Sequence, residues 1–543
     1  MWKNLNECEA FKRLKELPVP KIALLLKRAD SAKRVKEYSV PIISSLHYNY
    51  AAKKVDENVL KVLQDLSDEQ ELTKKYELLL TGAMINTGEK RLVLHHLTRD
   101  ESSFSLIHCE NGKPRNMHGF YQKELEKVRC FVEQIHKGEL ISSSGKAFTD
   151  VVQIGIGGSD LGPRSLYLAL KEYAHQTKIE KMQGHFVSNI DPEDAISVFS
   201  KFDASSTLFI IVSKSGVTEE TLANERLLLH YLEMQGIPNP KKNILVVTSE
   251  TSPLAKDASY LQSFFIDDYI GGRYSSTSCC GALILSLTFG NDLFTSLLEG
   301  ANTADKNAEN PNIRENAALL DALIGVYESS VLGYSATAVL PYSQALSRFP
   351  AHLQQLDMES SGKSVNRDFQ SLEYPTGQLL FGEAGTNGQH SFYQFLHQSK
   401  RIIPLQFIAF KESCVKMIAC ETTFKGSDEF RQKLEECIKD NHKKLLTNLI
   451  AQIYAFAVGK KDENANKCFD GERPSSLIYG DELNGKTLGA LLAHFENKVM
   501  FQGFLWNINS FDQEGVQLGK TLAKKIEKGE MDEGLKAFAN LLL

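Results

Sequence analysis

The chain has 543 residues and a formal net charge of −6 at pH 7, a balance that argues against a broad basic face for nucleic acid or a membrane surface. Its nine cysteines, an odd number without metal-ligand spacing, favour buried thiols in the reducing cytoplasm over a disulfide framework or a metal site. The start, MWKNLNECE, lacks the apolar core of a signal peptide, and no apolar run is long enough to span a bilayer.

The spacing of apolar residues predicts four regions along the chain. Residues 1–115 are expected to be mainly helical, and residues 513–543 to form a Lys- and Glu-rich helical arm. In residues 116–300 and 301–512, short β-branched runs alternate with amphipathic segments, which is typical of an α/β fold with mainly parallel sheets and helices on both faces. Residues 302–312 are the best candidate for a linker between the two sheets. Strands are predicted at 151–156, 208–212, 244–247, 336–340, 402–407 and 477–479.

A glycine-rich loop follows the first of these strands. The strand at 151–156 runs into GIGGSDLGP, where Gly158 and Ser159 would let a ligand approach the backbone closely. The glycine spacing differs from the GxGxxG fingerprint, so a dinucleotide is not expected here.

A second polar loop, SKSGVTEET, lies between the strand at 208–212 and a predicted helix. Ser213, Lys214, Ser215 and Thr218 supply hydroxyls and a cation beside free backbone N–H groups, a combination that attracts a phosphate dianion. The same residue types also cap helices in ordinary βα turns. Because the carboxyl ends of parallel strands share one edge, the two loops are expected to meet in one crevice, where two hydroxyl-rich loops favour a sugar phosphate over a nucleotide.

Two further segments carry candidate catalytic side chains. In GGRYS, Arg273 follows two glycines and can reach deep into a cleft as a permanent cation, although a structural ion pair is its commoner role. A predicted helix that ends at Gly362 puts Gln355 and Glu359 one turn apart on the same face. The position of Glu359 in the last turn is suitable for a general base. The alternative is that Glu359 is a solvated surface carboxylate without a catalytic role.

The last two motifs add a histidine and a lysine. In GEAGTNGQH, His390 is predicted in the first turn of the next helix, where a neutral imidazole can transfer a proton or merely cap the helix. SFDQEGVQLGK is expected to open the C-terminal helix and contains Gln513 and Lys520. Ser510 and Gln513 have the spacing of a capping box, which is the structural alternative for Gln513.

Six motifs occur together in this chain: GIGGSDLGP, SKSGVTEET, GGRYS, QQLDMESSGK, GEAGTNGQH and SFDQEGVQLGK. In their order and spacing the sequence resembles the phosphoglucose isomerase (glucose-6-phosphate isomerase) family from about residue 86 to residue 520, and SxSGxTxET is the broader signature of sugar-isomerase (SIS) domains. The resemblance implies two SIS-type αβα sandwich domains wrapped by the terminal helices in a homodimer. It also implies reversible isomerisation of glucose-6-phosphate and fructose-6-phosphate, in glycolysis and gluconeogenesis, through ring opening and a cis-enediol(ate), without a cofactor or a metal.

The resemblance further implies a role for each candidate residue. Glu359 matches the base that moves a proton between C2 and C1, and Arg273 matches the cation beside the developing enediolate. His390, contributed by the neighbouring subunit, and Lys520 match the groups that open the sugar ring. Substrate contacts, most of them to the phosphate, are matched by Gly158, Ser159, Ser213, Lys214, Ser215, Thr218, Gln355 and Gln513.

Two other functions are compatible with parts of this pattern. A non-catalytic sensor of sugar phosphates would need the loop at 213–218 but not Glu359, His390 and Lys520 together. Another isomerase of the same superfamily could accept mannose-6-phosphate, whereas an amidotransferase type would need an N-terminal cysteine nucleophile in place of the start Met1-Trp2.

Overall fold

The N-terminal part of the chain combines helices with short strands. The structure is a computed structural model and describes residues 2–100, 105–110, 113–415 and 427–543. The first helices are α1 (Glu9–Glu16), α2 (Ile22–Lys27), α3 (Ser31–Glu37), α4 (Glu57–Glu69) and α5 (Leu72–Leu80). Two antiparallel strand pairs lie among or after them, namely β1 (Ser39–Ile43) with β2 (Leu46–Asn49), and β3 (Ile107–Glu110) with β4 (Lys113–Asn116). The region expected to be mainly helical therefore also supplies strands.

The first large sheet is wholly parallel and has the strand order β6-β5-β7-β8-β9. Its strands are β5 (Asp150–Ile154), β6 (Gln183–Val187), β7 (Thr207–Val212), β8 (Ile244–Thr248) and β9 (Gln262–Phe265). The helices of this region are α6 (Met117–His136), α7 (Leu161–Gln176), α8 (Pro192–Phe199), α9 (Glu219–Met234), α10 (Cys279–Phe289) and α11 (Asn291–Asn307). Along β7, Leu208 and Ile210 belong to one apolar cluster and Phe209 and Ile211 to another, so both faces of the sheet are covered.

The second large sheet has the order β1-β2-β13-β12-β10-β11. Its parallel strands are β10 (Ala336–Pro341), β11 (Leu379–Gly382), β12 (Leu405–Phe410) and β13 (Ser475–Gly480). The N-terminal strand β2 adds to β13 in the antiparallel direction. Helices of this region are α12 (Ala317–Val326), α13 (Phe349–Ser361), α14 (Tyr393–Gln398), α15 (Asp428–Val458) and α16 (Gly485–Leu505). The predicted α/β class with mainly parallel sheets is confirmed.

The linker predicted at 302–312 is wrong over its first half. Residues up to Asn307 belong to α11, because this helix packs closely against α16. A Cβ placed on Gly300 would come within 1.9 Å of the carbonyl oxygen of Lys486, and one on Gly489 within 1.8 Å of that of Leu297. The two glycines thus allow backbone contact between the helices. The domain boundaries themselves stay a prediction.

The chain ends in two short helices, α17 (Gln517–Glu527) and α18 (Glu533–Leu542), as expected for a helical arm. The helix predicted to open at the SFDQEGVQLGK motif begins only at Gln517, so the capping box proposed for Ser510 and Gln513 is wrong. Among the described residues, none of the helices is both long and apolar enough to cross a membrane.

Candidate active site

A cleft of about 1130 Å³ lies where the polar loops of the first sheet face α13 and the C-terminal segment. Its walls come from parts of the chain more than 400 residues apart in sequence, from Asn86 to Lys520 in the first turn of α17. Every site residue predicted from the sequence except His390 lines it: Gly158, Ser159, Ser213, Lys214, Ser215, Thr218, Arg273, Gln355, Glu359, Gln513 and Lys520. Their individual roles stay predictions.

The glycine-rich loop forms a short 3-10 turn at Gly157–Ser159, directly after β5. A Cβ on Gly158 would lie 2.1 Å from the backbone of Gly272, so only glycine lets this loop touch the segment that carries Arg273. Gln355 reaches the same place from α13, with its Nε2 3.2 Å from a Cβ built on Gly157. The Oε1 atom of Gln355 is buried and has no hydrogen-bond partner among the described residues, which is unusual for a buried polar atom.

The loop after β7 places hydroxyls at the N-terminus of α9. Ser213 Oγ donates to Thr218 Oγ1 at 3.0 Å and accepts from the Gly216 N–H at 3.1 Å. Gly216 has a φ of +67°, which favours glycine. Thr218 precedes the first residue of the 16-residue helix α9 without capping it through its side chain. Glu220 and Thr221 in the first turn of α9 line the cleft together with Ser213, Ser215 and Thr218, so a helix N-terminus lies beside three hydroxyls, an arrangement suited to an anion.

Lys214 brings a cation to this loop. Its Nζ donates to the carbonyl oxygen of Ile270 at 3.1 Å and lies 3.9 Å from Asp268. Burial lowers the pKa of Lys214, and the nearby carboxylate of Asp268 partly opposes that effect. A dianionic ligand would offset the same desolvation cost, because it places negative charge beside the ammonium group.

Arg273 and Glu359 face each other across the floor of the cleft. Arg273 is buried, and its Nη1 lies 3.5 Å from Oε2 of the partly exposed Glu359. Its Nε donates to Ser360 Oγ at 2.7 Å, and its Nη2 donates to the carbonyl oxygens of Ser510 at 2.6 Å and Asp512 at 3.1 Å. The cleft thus holds a fixed cation beside a carboxylate that solvent and ligands can reach.

The C-terminal segment covers one side of the cleft. Asp512 forms an ion pair with Lys363 and accepts from Asn509 Nδ2 at 2.9 Å. Downstream of this anchor, Gln513 and Lys520 are exposed and line the cleft. Lys520 lies in the first turn of α17, so its position in the cleft depends on where α17 packs.

His390 does not join the other predicted residues. It ends a 3-10 turn at Asn387–His390, before α14 begins at Tyr393, so the prediction that it lies in the first turn of that helix is wrong. Its side chain is exposed and does not line the cleft. Within one chain, the cleft contains the base and cation candidates but not the histidine.

Several cleft residues were missed by the sequence reasoning. Arg91 donates to Glu89 at 2.9 Å and to Asp268 at 3.0 Å, and all three line the cleft near Lys214. Asp268 comes just after β9, a four-residue strand that was not predicted. Recognising that strand would have placed Asp268 at the carboxyl edge of the sheet; Glu89 and Arg91 carry no comparable local signal. No group of three or more His, Cys, Asp or Glu side chains in the described ranges could hold a metal ion.

Comparisons with known proteins identify the family of this chain. The family profile described as phosphoglucose isomerase matches residues 49–538. The chain is 57% identical to a glucose-6-phosphate isomerase of Treponema denticola, with all of both chains covered, and 48% identical to one of Borreliella burgdorferi, covering all of this chain and 99% of the other. A crystal structure of a glucose-6-phosphate isomerase from Chlamydia trachomatis superposes with a TM-score of 0.87 at 36% identity, with both chains fully covered. The chain therefore belongs to the phosphoglucose isomerase family.

Proposed function

We propose that this protein interconverts glucose-6-phosphate and fructose-6-phosphate by ring opening and a cis-enediol(ate) intermediate. The observation that carries the proposal is the Glu359 carboxylate, 3.5 Å from the Arg273 guanidinium in the same cleft as the hydroxyl loop at 213–218. A proton transfer between neighbouring carbons needs a base, a cation for the developing negative charge, and a remote anchor. The names of the full-length relatives supply glucose-6-phosphate as the aldose. Moving its C2 proton to C1 gives the ketose, fructose-6-phosphate.

The phosphate is assigned to the loop at 213–218 and to Ser159. Hydroxyls, the Lys214 ammonium and the first N–H groups of α9 offer several donors to one dianion. Because this contact is the same in aldose, intermediate and ketose, it holds the reacting carbons in place without favouring one of them.

Glu359 is assigned as the base. It takes the proton from C2 of the open-chain aldose, the C1–C2 enediolate forms with its negative charge on O1, and the same carboxyl returns the proton to C1 while the O2 proton moves to O1. Arg273 offsets the negative charge of the enediolate, since its guanidinium is fixed before the substrate arrives. Lys520 and His390 are assigned to proton transfer at the ring oxygen, and Gln355 and Gln513 to contacts with sugar hydroxyls.

We further propose a homodimer in the cytoplasm in which His390 completes the site of the neighbouring subunit. Large apolar side chains stay exposed on the chain by itself: Phe430 on α15 is 71% exposed, and Phe538 and Leu541 on α18 are 72% and 76% exposed. Apolar surface of this kind is typical of an interface. The exposed position of His390 outside its own cleft fits the same arrangement.

A coupled assay tests the proposed reaction. Purified wild-type protein receives fructose-6-phosphate with glucose-6-phosphate dehydrogenase and NADP, and we expect steady NADPH formation. Mannose-6-phosphate in the same assay yields NADPH only if the enzyme first converts it to fructose-6-phosphate. The same readout therefore measures any activity on mannose-6-phosphate. A folded wild-type protein that binds fructose-6-phosphate but forms no NADPH would overturn the isomerase proposal in favour of a sugar-phosphate sensor.

Hybrid dimers test where His390 acts. If each site combines Glu359 of one subunit with His390 of the other, a hybrid of Glu359→Gln and His390→Ala subunits contains one intact site and one doubly substituted site. We expect such hybrids, purified through two different tags, to regain about half of the wild-type activity per dimer. Hybrids that stay as inactive as the two parent homodimers would show that both side chains act from one chain.

A further inference from the structure

The hydroxyl of Ser360 links the two halves of the proposed catalytic pair. Ser360 is fully buried at the end of α13, directly after Glu359. Its Oγ accepts from Arg273 Nε at 2.7 Å and forms a second hydrogen bond with the hydroxyl of Tyr274 at 3.0 Å. The helix that carries the base is thereby joined to the loop that carries the cation.

This contact determines which nitrogen of Arg273 faces Glu359. The guanidinium group is planar, and its Nε and Nη2 share one edge. Ser360 holds Nε, and the carbonyl oxygens of Ser510 and Asp512 hold Nη2. With that edge fixed, Nη1 is the nitrogen left to point at the carboxylate of Glu359.

Tyr274 in turn orients the serine hydroxyl. It is buried, and its ring packs against His95 at 4.8 Å and against Phe511 at 5.4 Å between ring centroids. Because the tyrosine hydroxyl occupies one hydrogen-bonding direction of Ser360 Oγ, a lone pair of that oxygen stays directed at Arg273 Nε.

We propose that Ser360 is a positioning residue for the isomerisation: it acts through Arg273, holding the guanidinium where the enediolate charge develops. The inference rests on the proposed function. It goes beyond that function because it assigns the alignment of the cation to a neutral side chain that does not line the cleft.

Ser361 is a matched control. It is buried on the same helix, but its Oγ donates back to its own helix, to the carbonyl oxygen of Asp357 at 2.7 Å, and lies 2.9 Å from Asp357 Oδ1. Replacing either serine by alanine removes one buried hydroxyl from α13. Only the change at Ser360 removes a partner of Arg273.

Steady-state kinetics in the coupled assay test the proposal. We expect Ser360→Ala to lower kcat by about 10- to 100-fold with KM changed by less than about twofold, since the phosphate loop is untouched. Ser361→Ala should keep the wild-type kcat within about twofold, and Tyr274→Phe should lower kcat less than Ser360→Ala does.

A double-substitution cycle separates positioning from general structure. Arg273→Lys already lacks the Nε–H, so adding Ser360→Ala to it should lower kcat by less than about twofold. A full 10- to 100-fold further loss in that background, or a normal kcat in Ser360→Ala alone, would overturn the proposal. If Ser360→Ala does not fold, Tyr274→Phe carries the test, and an unchanged kcat there overturns it. An inactive wild type would instead refute the proposed function.

Discussion

In Glu359→Gln, the isomerisation rate is expected to fall by about 10²- to 10⁴-fold, while the protein folds and assembles as the wild type does. The amide keeps the shape of the side chain but cannot accept the C2 proton. It also leaves Arg273 without its anionic neighbour at 3.5 Å. The coupled assay measures the loss in kcat, and NMR measures the exchange of the C2 hydrogen with solvent deuterium, which should stop in the variant.

Glu514→Gln is the matched control for this prediction. Glu514 is an exposed carboxylate on the C-terminal segment that lines the same cleft, and its charge is far more screened by solvent. We expect this variant to keep kcat within about threefold of the wild type. If Glu359→Gln retained more than a tenth of the wild-type kcat, or still exchanged the C2 hydrogen, the carboxylate of Glu359 would not be the base.

In Arg99→Met, the free energy of unfolding is expected to fall by about 3–5 kcal/mol, because two buried carboxylates lose their cation. Arg99 is fully buried and donates to both oxygens of Asp305 on α11, at 2.6 and 2.9 Å. It also pairs with Glu496 on α16, which is equally buried. This one side chain therefore supplies the cation that faces two carboxylates enclosed between α11 and α16.

The loss of stability in Arg99→Met should depend on pH. Burial already raises the pKa of Glu496 to about 7, with Arg99 opposing the shift. Removing Arg99 raises the pKa of Glu496 further. At a pH above the ordinary pKa of a glutamate, Glu496 therefore keeps its proton in the folded variant but loses it in the unfolded chain. Protonation neutralises the buried charge, and the fall in Tm should accordingly be smaller at pH 5.5 than at pH 8.

Thermal unfolding at these two pH values measures the effect, with Arg129→Met as the control. Arg129 forms the same kind of double ion pair, with Glu126 and Glu133, but on the exposed face of α6. Its replacement should change the stability little, because solvent screens an exposed ion pair. An Arg99→Met protein as stable as Arg129→Met, or one with a larger loss at pH 5.5, would show that the buried carboxylates do not control stability. Arg99→Lys, which keeps the charge, should recover part of the stability.

Local sequence was sufficient to predict the elements that position the polar loops at 157–159 and 213–218. The β-branched runs that became β5, β7 and β8 are short, mainly apolar and followed by polar turns, so each carries its own strand signal. The helix that carries Gln355 and Glu359 was likewise predictable, because Pro350 and Gly362 mark its two ends. Glu359 and Lys520 were identified as candidate catalytic residues by the resemblance that the six motifs carry together, and not by the local sequence around them.

Pairings between distant segments were not predictable in this way. Strand β2 joins the second sheet next to β13, about 430 residues later, through antiparallel contacts that no local pattern encodes. The strand β12 starts at Leu405 rather than at 402, because Pro404 has no N–H to donate to a neighbouring strand. The end of α11, residues 302–307, had looked like part of a linker. The packing of α11 on α16 that makes this segment helical involves residues almost 200 positions later in the chain.

The sequence by itself determined the α/β class, the loops at the strand ends and the residue types of the cleft, because strand, turn and helix signals act over a few residues. Only the tertiary structure decided that Arg273 is held by Ser360 and by carbonyl groups more than 230 residues away, and that His390 lies outside its own cleft. Hydrogen bonds to buried groups are specified by packing in three dimensions rather than by neighbours in the chain. The alignment of the proposed catalytic pair, Arg273 and Glu359, is therefore a property of the fold, although both residues were singled out from the sequence.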